Sequence, residues 1–386
     1  MSDQAPKILK LVILMASILW GMVLSSCTEK SDPQPQAFSW DFEGFDLSTN
    51  AFQVCNSAKS EKETFLKFFS EGPYTIPGDP KPDALPSFFE EIRKGYSQKT
   101  DNLDYSLIKR EYHTLTHAMD VMISTHAILN GVLGNFLKPE EKAILLLAAL
   151  GHDVLHTGVN NGFLVKIKHP IVQEFGEGGS QEKRSAQFME EILIKYAILK
   201  KSNPKEFVEL SRFLTQTILW TDFSKHKELM IQVEKLTPRI EEILADSKVT
   251  GEFPQSGSPA QLDEQRRVIL STKFSSEERI LLASFILHCA DISNPGKDWP
   301  VCERWANLVM NEFFAQGDLE KNLGMVPSMN CDRELVSIAK CQVGFGQYVV
   351  KDLFNLLEKI SPNEGKFLSQ NLEKNQVKWK VLLESN

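Results

Sequence analysis

Hydrophobic positions along the chain recur with helical spacing. From Pro139 the segment PEEKAILLLAALGHDVLH begins with a proline and acids, which suit the first turn of a helix. It then turns apolar almost all round, as a helix buried on every side must. The segment SSEERILLASFILHCADISNP opens with Ser275 and Glu278 in capping-box spacing and is closed by Asn294-Pro295, which predicts a second central helix. Amphipathic stretches near 184–200, 206–220, 225–245, 303–315 and 333–360 account for most of the remainder, whereas period-2 alternation between hairpin turns is scarce. The pattern predicts an all-α fold. Loops are expected at 72–86 (GPYTIPGDPKPDALP), at the Gly-rich 174–180, and at 250–261. No interdomain linker or internal repeat interrupts this, so one helical domain is expected from about 38 to 385.

Composition adds limits. With 386 residues, 42% hydrophobic and 24% charged, the chain can bury a sizeable core, and wholesale disorder or a polytopic membrane protein is excluded. A formal charge of -8 argues against a nucleic-acid partner bound through counterion release, and an anionic ligand would need a local cation. Six cysteines, without a CxxC pair, suggest neither a zinc ribbon nor a disulfide framework.

The N-terminus has the order of a signal peptide: Lys7 and Lys10, then an apolar run from Leu11 to Leu24, then Ser25-Ser26-Cys27. As helix the run would span only about 21 Å, short of the ~30 Å hydrocarbon core, which favours cleavage over a permanent anchor. The LSSC ending resembles the bacterial lipobox, and that resemblance implies cleavage after residue 26 and lipid on Cys27. The polar, Pro-containing TEKSDPQPQ would be a tether over 27–37. Cleaved or anchored, the domain is expected outside the cytoplasm and attached to a membrane.

Three segments place ionisable residues where the apolar pattern predicts burial. In Tyr112-His113-Thr114-Leu115-Thr116-His117, a helix would set His113 and His117 one turn apart on one face. In Gly151-His152-Asp153-Val154-Leu155-His156, a His-Asp pair ends an apolar helix, where a metal ion would offset the burial of both. In His288-Cys289-Ala290-Asp291, a carboxylate at a helix C-terminus opposes the macrodipole and calls for a cation. Each has an ordinary alternative: core or surface histidines, a cap, a lysine partner. Taken together, His117, His152, Asp153 and Asp291 resemble the ligand set of the HD-type metal phosphohydrolases. Such mixed imidazole and carboxylate ligands suit Zn²⁺, Fe²⁺ or Mn²⁺ at one site, and leftover oxygen ligands suit Mg²⁺ or Mn²⁺ at a second.

The finer text is narrower. YHTLTHAMDV, ALGHDVLHTGVNNGF, TDFSKH, HCADISNP, EFFAQGDLEKNLGM and CQVGFGQYV, in this order, resemble the successive signatures of the class I cyclic nucleotide phosphodiesterases from roughly residue 38 to 375. The resemblance implies a compact domain of about sixteen helices with two metals, zinc-like and magnesium- or manganese-like, in a deep pocket. It implies hydrolysis of cAMP and/or cGMP to the 5′-monophosphate by a hydroxide between the metals. By position it makes His113 the general acid and gives the first metal to His117, His152, Asp153 and Asp291. Asp153 would touch the second metal too, whose waters would be supported by His156, Glu182 and Thr221. Tyr112 and Asn294 would lie by the nucleotide. Gln342 would bond the base, Phe345 would stack on it, and Val309, Met310 and Phe313 would line its slot.

One departure stands out. Where the family has Glu-Asn-His-His, this chain has Glu182-Lys183-Arg184-Ser185, which puts Glu182 and the second metal's surroundings in question. Two other functions remain open at this level: a different HD-type phosphohydrolase, which would not need Gln342 and Phe345, and a noncatalytic cyclic-nucleotide-binding lipoprotein, which would not need His113 or the metals.

Overall fold

The computed structural model describes residues 46–70, 72–98, 110–199, 203–249 and 269–385. The signal peptide, the tether, Cys27 and the 250–261 loop lie outside the described residues. Phe42 to Asn386 forms one compact unit. Among the described residues there are fifteen α-helices with defined ends, short 3₁₀ and π turns, and no strand. None of these helices is long and apolar enough to cross a membrane.

Three helices form the centre. They are α4 (Leu115–Leu129), α5 (Pro139–Gly151) and α11 (Ser276–Asp291), and both α5 and α11 pack along α4. Their boundaries follow local chemistry. Pro139 occupies the first turn of α5, and Glu141 accepts from the Lys138 N–H at 2.9 Å. Ser275 caps α11 reciprocally with Glu278, an arrangement that stabilises a helix start by about 1 kcal/mol. A buried ion pair, Arg279 Nε to Glu141 Oε1 at 2.9 Å, then fixes the start of α11 against that of α5. Truncating one partner of such a pair costs about 3–5 kcal/mol, because the other charge stays buried alone.

Around this centre, α9 (Pro204–Leu219) packs on α5, α11 and α8 (Ser180–Lys195), and α10 (His226–Val249) packs on α11. On the other side, α12 (Trp299–Asn322) leads to α13 (Ile338–Phe345), α14 (Lys351–Ile360) and α15 (Pro362–Glu384), with α14 lying along α15.

Several sequence expectations need correction. His113 is not helical: α4 starts at Leu115, and residues 111–114 form a bend, so the pair with His117 does not arise from one helix face. The cause is tertiary, since Glu312 accepts from the backbone N–H groups of Glu111, Tyr112 and His113 at 3.1, 2.9 and 3.2 Å. His152 and Asp153 lie just past the end of α5. The helix expected from 333 begins at Ile338, capped by Ser337, and Gly346–Val350 forms a π turn between α13 and α14. The loop expected to reach 86 ends at Asp83, where α3 (Ala84–Ser97) begins.

The loop after α11 is held from behind. Lys297, 1% exposed, donates to Leu47 O at 3.0 Å, Thr49 O at 3.4 Å and Ser124 Oγ at 2.8 Å. Asn375 donates to Pro295 O and Lys297 O. Lys297→Met should therefore lower stability by about 1–3 kcal/mol in urea unfolding, the cost of leaving these buried acceptors unpaired. An unchanged midpoint would show that the ammonium does not secure residues 47–49.

Candidate active site

His117 projects from the first turn of α4, His152 and Asp153 from the turn that ends α5, and Asp291 from the last residue of α11. One ligand-type atom from each lies within 4.8 Å of the other three. His117 Nε2 is 3.0 Å from Asp291 Oδ1, and His152 Nε2 is 3.0 Å from Asp153 Oδ2 and 3.3 Å from Asp291 Oδ1.

The tautomer of His152 decides what this cluster wants. Its Nδ1 bonds the Ala149 carbonyl at 2.8 Å, so Nδ1 carries a proton and Nε2 is the nitrogen left to take either a second proton or a metal ion. That buried Nε2 has no aligned hydrogen-bond partner and faces two carboxylate oxygens. Acceptors brought this close need a positive charge between them. Burial opposes a charged imidazole, yet Asp153 and Asp291 outweigh it and raise the His152 pKa well above the usual histidine range. Burial likewise opposes charge on Asp153 and Asp291, but the surrounding histidines hold both carboxyls below their ordinary values. A divalent cation satisfies all four groups at once, and the second nitrogen of His152 is already oriented by a carbonyl, as metal-ligating histidines usually are.

Beside this cluster is the proposed acid. Nδ1 of His113 meets Glu312 Oε1 at 2.5 Å, and the same carboxylate binds three consecutive backbone N–H groups. Burial opposes charge on the ring, but Glu312 outweighs it and raises the His113 pKa to about 9. Burial would raise the Glu312 carboxyl, yet His113 and the N–H groups bring it down to about 2. The ring of His113 also stacks on His156, centroids 3.8 Å apart and planes 24° apart, while Tyr112 meets it edge-on. Ligand-type atoms of His113, His156 and Glu312 also lie within 4.8 Å of one another. Stacked rings send their in-plane lone pairs side by side, so they do not converge on one ion.

His156 is placed by Leu155, whose φ of +66° is a left-handed conformation uncommon for leucine. Nδ1 of His156 accepts from Gly158 N–H at 3.1 Å, and Nε2 lies 3.2 Å from the Gln181 side-chain nitrogen. Burial and then the charge on His113 push its pKa down to about 3.

Glu182 stands in the first turn of α8, bonded at 2.9 Å by Asn161 Nδ2. Burial pushes its carboxyl up, and Asn161 only partly opposes this. In the run that departs from the family after Glu182, Lys183 Nζ donates to Phe175 O and Ser185 Oγ to Val154 O. These side chains tie α8 to the backbone and do not line the site. Gly179, at φ +63°, starts this helix with Asp222 Oδ2 2.9 Å from where a Cβ would stand, so a larger residue would displace that acid.

Tyr112, His113, Asp153, His156, Glu182, Thr221 and Asp291 line one continuous cavity of about 880 Å³ together with Asn294, Val309, Met310, Phe313, Gln342 and Phe345. His117 and His152 belong to the metal-type cluster with Asp153 and Asp291. Every expected site residue among the described ones is thus brought to one place. Asn294 Nδ2 donates to Tyr112 Oη at 2.8 Å, and Thr221 Oγ1 donates to Ile218 O. Gln342 and Phe345 are three residues apart on α13, and Phe345 lies 6.4 Å from Phe223. Sequence reasoning overlooked Glu312, which opens the EFFAQGD run. Its signal was phase: Trp305, Val309, Glu312 and Gln316 share a stripe of α12, and an acid there must be compensated.

Known proteins resemble this chain in fold and in sequence. The phosphodiesterase domain of a rhodopsin-phosphodiesterase fusion from the choanoflagellate Salpingoeca rosetta superposes with a TM-score of 0.72 at 22% identity, covering 90% of this chain and 97% of that one. A dual-specificity calcium/calmodulin-dependent 3′,5′-cyclic nucleotide phosphodiesterase 1 of Drosophila melanogaster is 31% identical over 273 residues, 70% of this chain and 28% of that protein. A 3′,5′-cyclic-AMP phosphodiesterase 4C of Rattus norvegicus is 30% identical over 269 residues, 69% of this chain and 46% of that protein. The chain therefore spans less than half the length of these curated relatives. Residues 112–372 match the sequence profile of the 3′5′-cyclic nucleotide phosphodiesterases, and the chain belongs to that family.

Proposed function

We propose that the protein hydrolyses a 3′,5′-cyclic nucleotide, cAMP and/or cGMP, to the 5′-monophosphate. The observation that carries this is the Nε2 of His152, its other nitrogen held by the Ala149 carbonyl, facing two carboxylates in a cavity whose lining also includes Gln342 and Phe345. His117, His152, Asp153 and Asp291 would hold a first divalent ion, zinc by the chemistry of its nitrogen and oxygen donors. Magnesium or manganese at a second position would use Asp153, with His156, Glu182 and Thr221 farther out. When bound, such ions acidify a water and neutralise phosphate oxygens, which an otherwise acidic protein needs for an anionic substrate.

The protein's own groups supply the rest. A water oxygen bonds to phosphorus as the bond from phosphorus to O3′ breaks, and the departing oxygen needs a proton. With Nδ1 of His113 committed to Glu312, Nε2 is the atom free to deliver it. Gln342 carries both a donor and an acceptor, and its side-chain amide has no hydrogen-bond partner among the described residues, so it can meet either purine edge. Phe345 offers a face for stacking, beside the apolar Val309, Met310 and Phe313.

The purified domain assayed with each cyclic nucleotide tests this reading. Turnover should vanish with exhaustive chelation and return with added metal, and Asp153→Ala and Asp291→Ala should each lower kcat by at least about a thousandfold while helical circular dichroism persists. Phe345→Ala should lower kcat/KM several-fold to about a hundredfold, matching ~1–3 kcal/mol of base stacking, yet spare a generic phosphodiester that has no purine. Equal losses on the generic ester would leave an HD-type phosphohydrolase of another substrate.

The acid pair has a pH signature. Because the His113 pKa is raised, the stability it contributes is complete below ~6.5 and is lost as pH rises through about 9. The lowered Glu312 pKa gives stability that is complete above ~4.3 and is lost as pH falls toward about 2. Glu312→Gln should return the His113 pKa toward ~6.5 in an NMR titration and flatten the loss of stability between pH 6.5 and 9. A His113 pKa that stays near 9 in this variant would refute the pairing.

The N-terminal pattern supports attachment to a membrane by lipid on Cys27, with the domain outside the cytoplasm. Mass spectrometry of the mature protein should find Cys27 as its modified first residue. Recovery of an intact Met1–Ser26 segment would reject cleavage.

A further inference from the structure

The turn that ends α5 carries His152, Asp153 and His156 outside any regular element, so its shape depends on what holds it. Its carbonyls account for the hold. Ala149 O meets His152 Nδ1 at 2.8 Å, Gly151 O accepts from Val154 N–H at 3.1 Å, and Asp153 O accepts from His156 N–H at 3.0 Å. Three more are taken by side chains from elsewhere: Tyr96 Oη donates to Leu150 O at 3.0 Å, Ser185 Oγ to Val154 O at 2.7 Å, and Arg110 Nη1 to His156 O at 2.8 Å. Of the three donors only Ser185 shares a helix with residues of the cavity lining, and one of these is Glu182, a turn earlier on α8. Gln181 makes a second tie from the same turn of α8: its Oε1 accepts from Thr157 N–H at 2.9 Å and Thr157 Oγ1 at 2.6 Å, and its Nε2 donates to Val159 O at 2.9 Å. Glu182 thus stands between two tied residues, and the tie from Ser185 reaches the backbone between Asp153 and His156.

We propose that Ser185 is a positioning residue for the second ion: its hydroxyl sets the register between the turn that carries Asp153 and His156 and the helix that carries Glu182. This rests on the reading of a second ion at Asp153, with His156, Glu182 and Thr221 farther out. Ser185 belongs to the run that departs from the family after Glu182, so the tie is made by a residue the family pattern does not contain. The first ion does not depend on it. His117 and Asp291 would reach that ion from α4 and α11, and His152 is oriented by Ala149 of its own helix. The second position has no such independent support, because Asp153 and His156 come from the turn and Glu182 from α8. Asp153 and Glu182 are moreover like charges, so their own interaction does not draw the two pieces together. Met189, one turn beyond Ser185, packs on Gly151 and sets how closely α8 approaches the turn. An apolar contact of that kind is non-directional, whereas the bond to Val154 O is directional and fixes register.

The full chain, stripped of metal, loaded with one equivalent of Zn²⁺ and titrated with Mn²⁺ alone in a calorimeter, reads the second position directly. Ser185→Ala and Ser185→Cys should each weaken Mn²⁺ binding about ten- to hundredfold, the usual loss when a group behind metal ligands is removed, and leave Zn²⁺ affinity within about twofold of wild type. Ser185→Cys nearly keeps the volume while its S–H is a weak donor, which separates the bond from the packing. Ser185→Thr keeps the hydroxyl and should bind Mn²⁺ within about threefold of wild type. Lys183→Met cuts a tie of the same helix to Phe175 O, which is outside the cavity lining, and should leave both ions unaffected. Amide exchange of residues 150–159 in the metal-free proteins gives a reading without any ion: it should quicken in Ser185→Ala and Ser185→Cys and stay as in wild type in Ser185→Thr and Lys183→Met. Ser185→Ala or Ser185→Cys binding Mn²⁺ as tightly as wild type overturns the proposal, as does exchange that is the same in all five proteins. Equal losses of Zn²⁺ and Mn²⁺ overturn it too, because the hydroxyl would then merely hold the fold. A wild type that takes up Zn²⁺ and no Mn²⁺ overturns the second ion itself and the proposal with it, whereas variants that match a wild type binding both ions overturn only the part given to Ser185.

Discussion

Four groups with lone pairs or negative charge crowd together in an apolar interior, and the structure depends on what reconciles them. His117, His152, Asp153 and Asp291 come from three separate helices, each of which would be ordinary core without its terminal residues. Their proximity is unfavourable unless positive charge is present. The fold compels it nevertheless, through the packing of α5 and α11 along α4 and through the Arg279 to Glu141 pair that sets their starts side by side. An interior arranged this way is organised around a cation.

A second division of charge lies next to the first. His113, the proposed acid, is separated from the metal-type cluster by its commitment to Glu312, on a different helix, and one carboxylate serves both ring and backbone. Three N–H groups and a ring nitrogen on one glutamate turn residues 111–113 away from helix and toward the cavity. Placement and protonation of His113 thus share a cause, and a change at Glu312 disturbs both.

What the sequence made legible was local. The central helices α5 and α11 announce themselves through Pro139, the Ser275 and Glu278 box and unbroken apolar text, and the metal-type residues stand out as polar groups in that text. The bend at His113 could not be read, because the carboxylate that makes it is 199 positions away. The same distance hid Glu312, whose purpose is defined only by what it meets. The π turn at Gly346–Val350 was invisible for a related reason: Gly346 lies where a Cβ would approach Gln376 of α15 to 2.0 Å, a constraint from another helix. The altered run after Glu182 was legible as a departure, yet its harmlessness to packing appears only in the bonds of Lys183 and Ser185 to backbone carbonyls.

The protein has eight histidines, and none is fully exposed: six are buried, and His113 and His226 are half-buried. Four of them are gathered at the site, and His226 and His288 bond each other at 2.8 Å. A transition-metal ion arriving from solution therefore finds no fully exposed imidazole to detain it, and with so few histidines accessible to blur the count, calorimetric titration would register the interior positions as discrete stoichiometric steps.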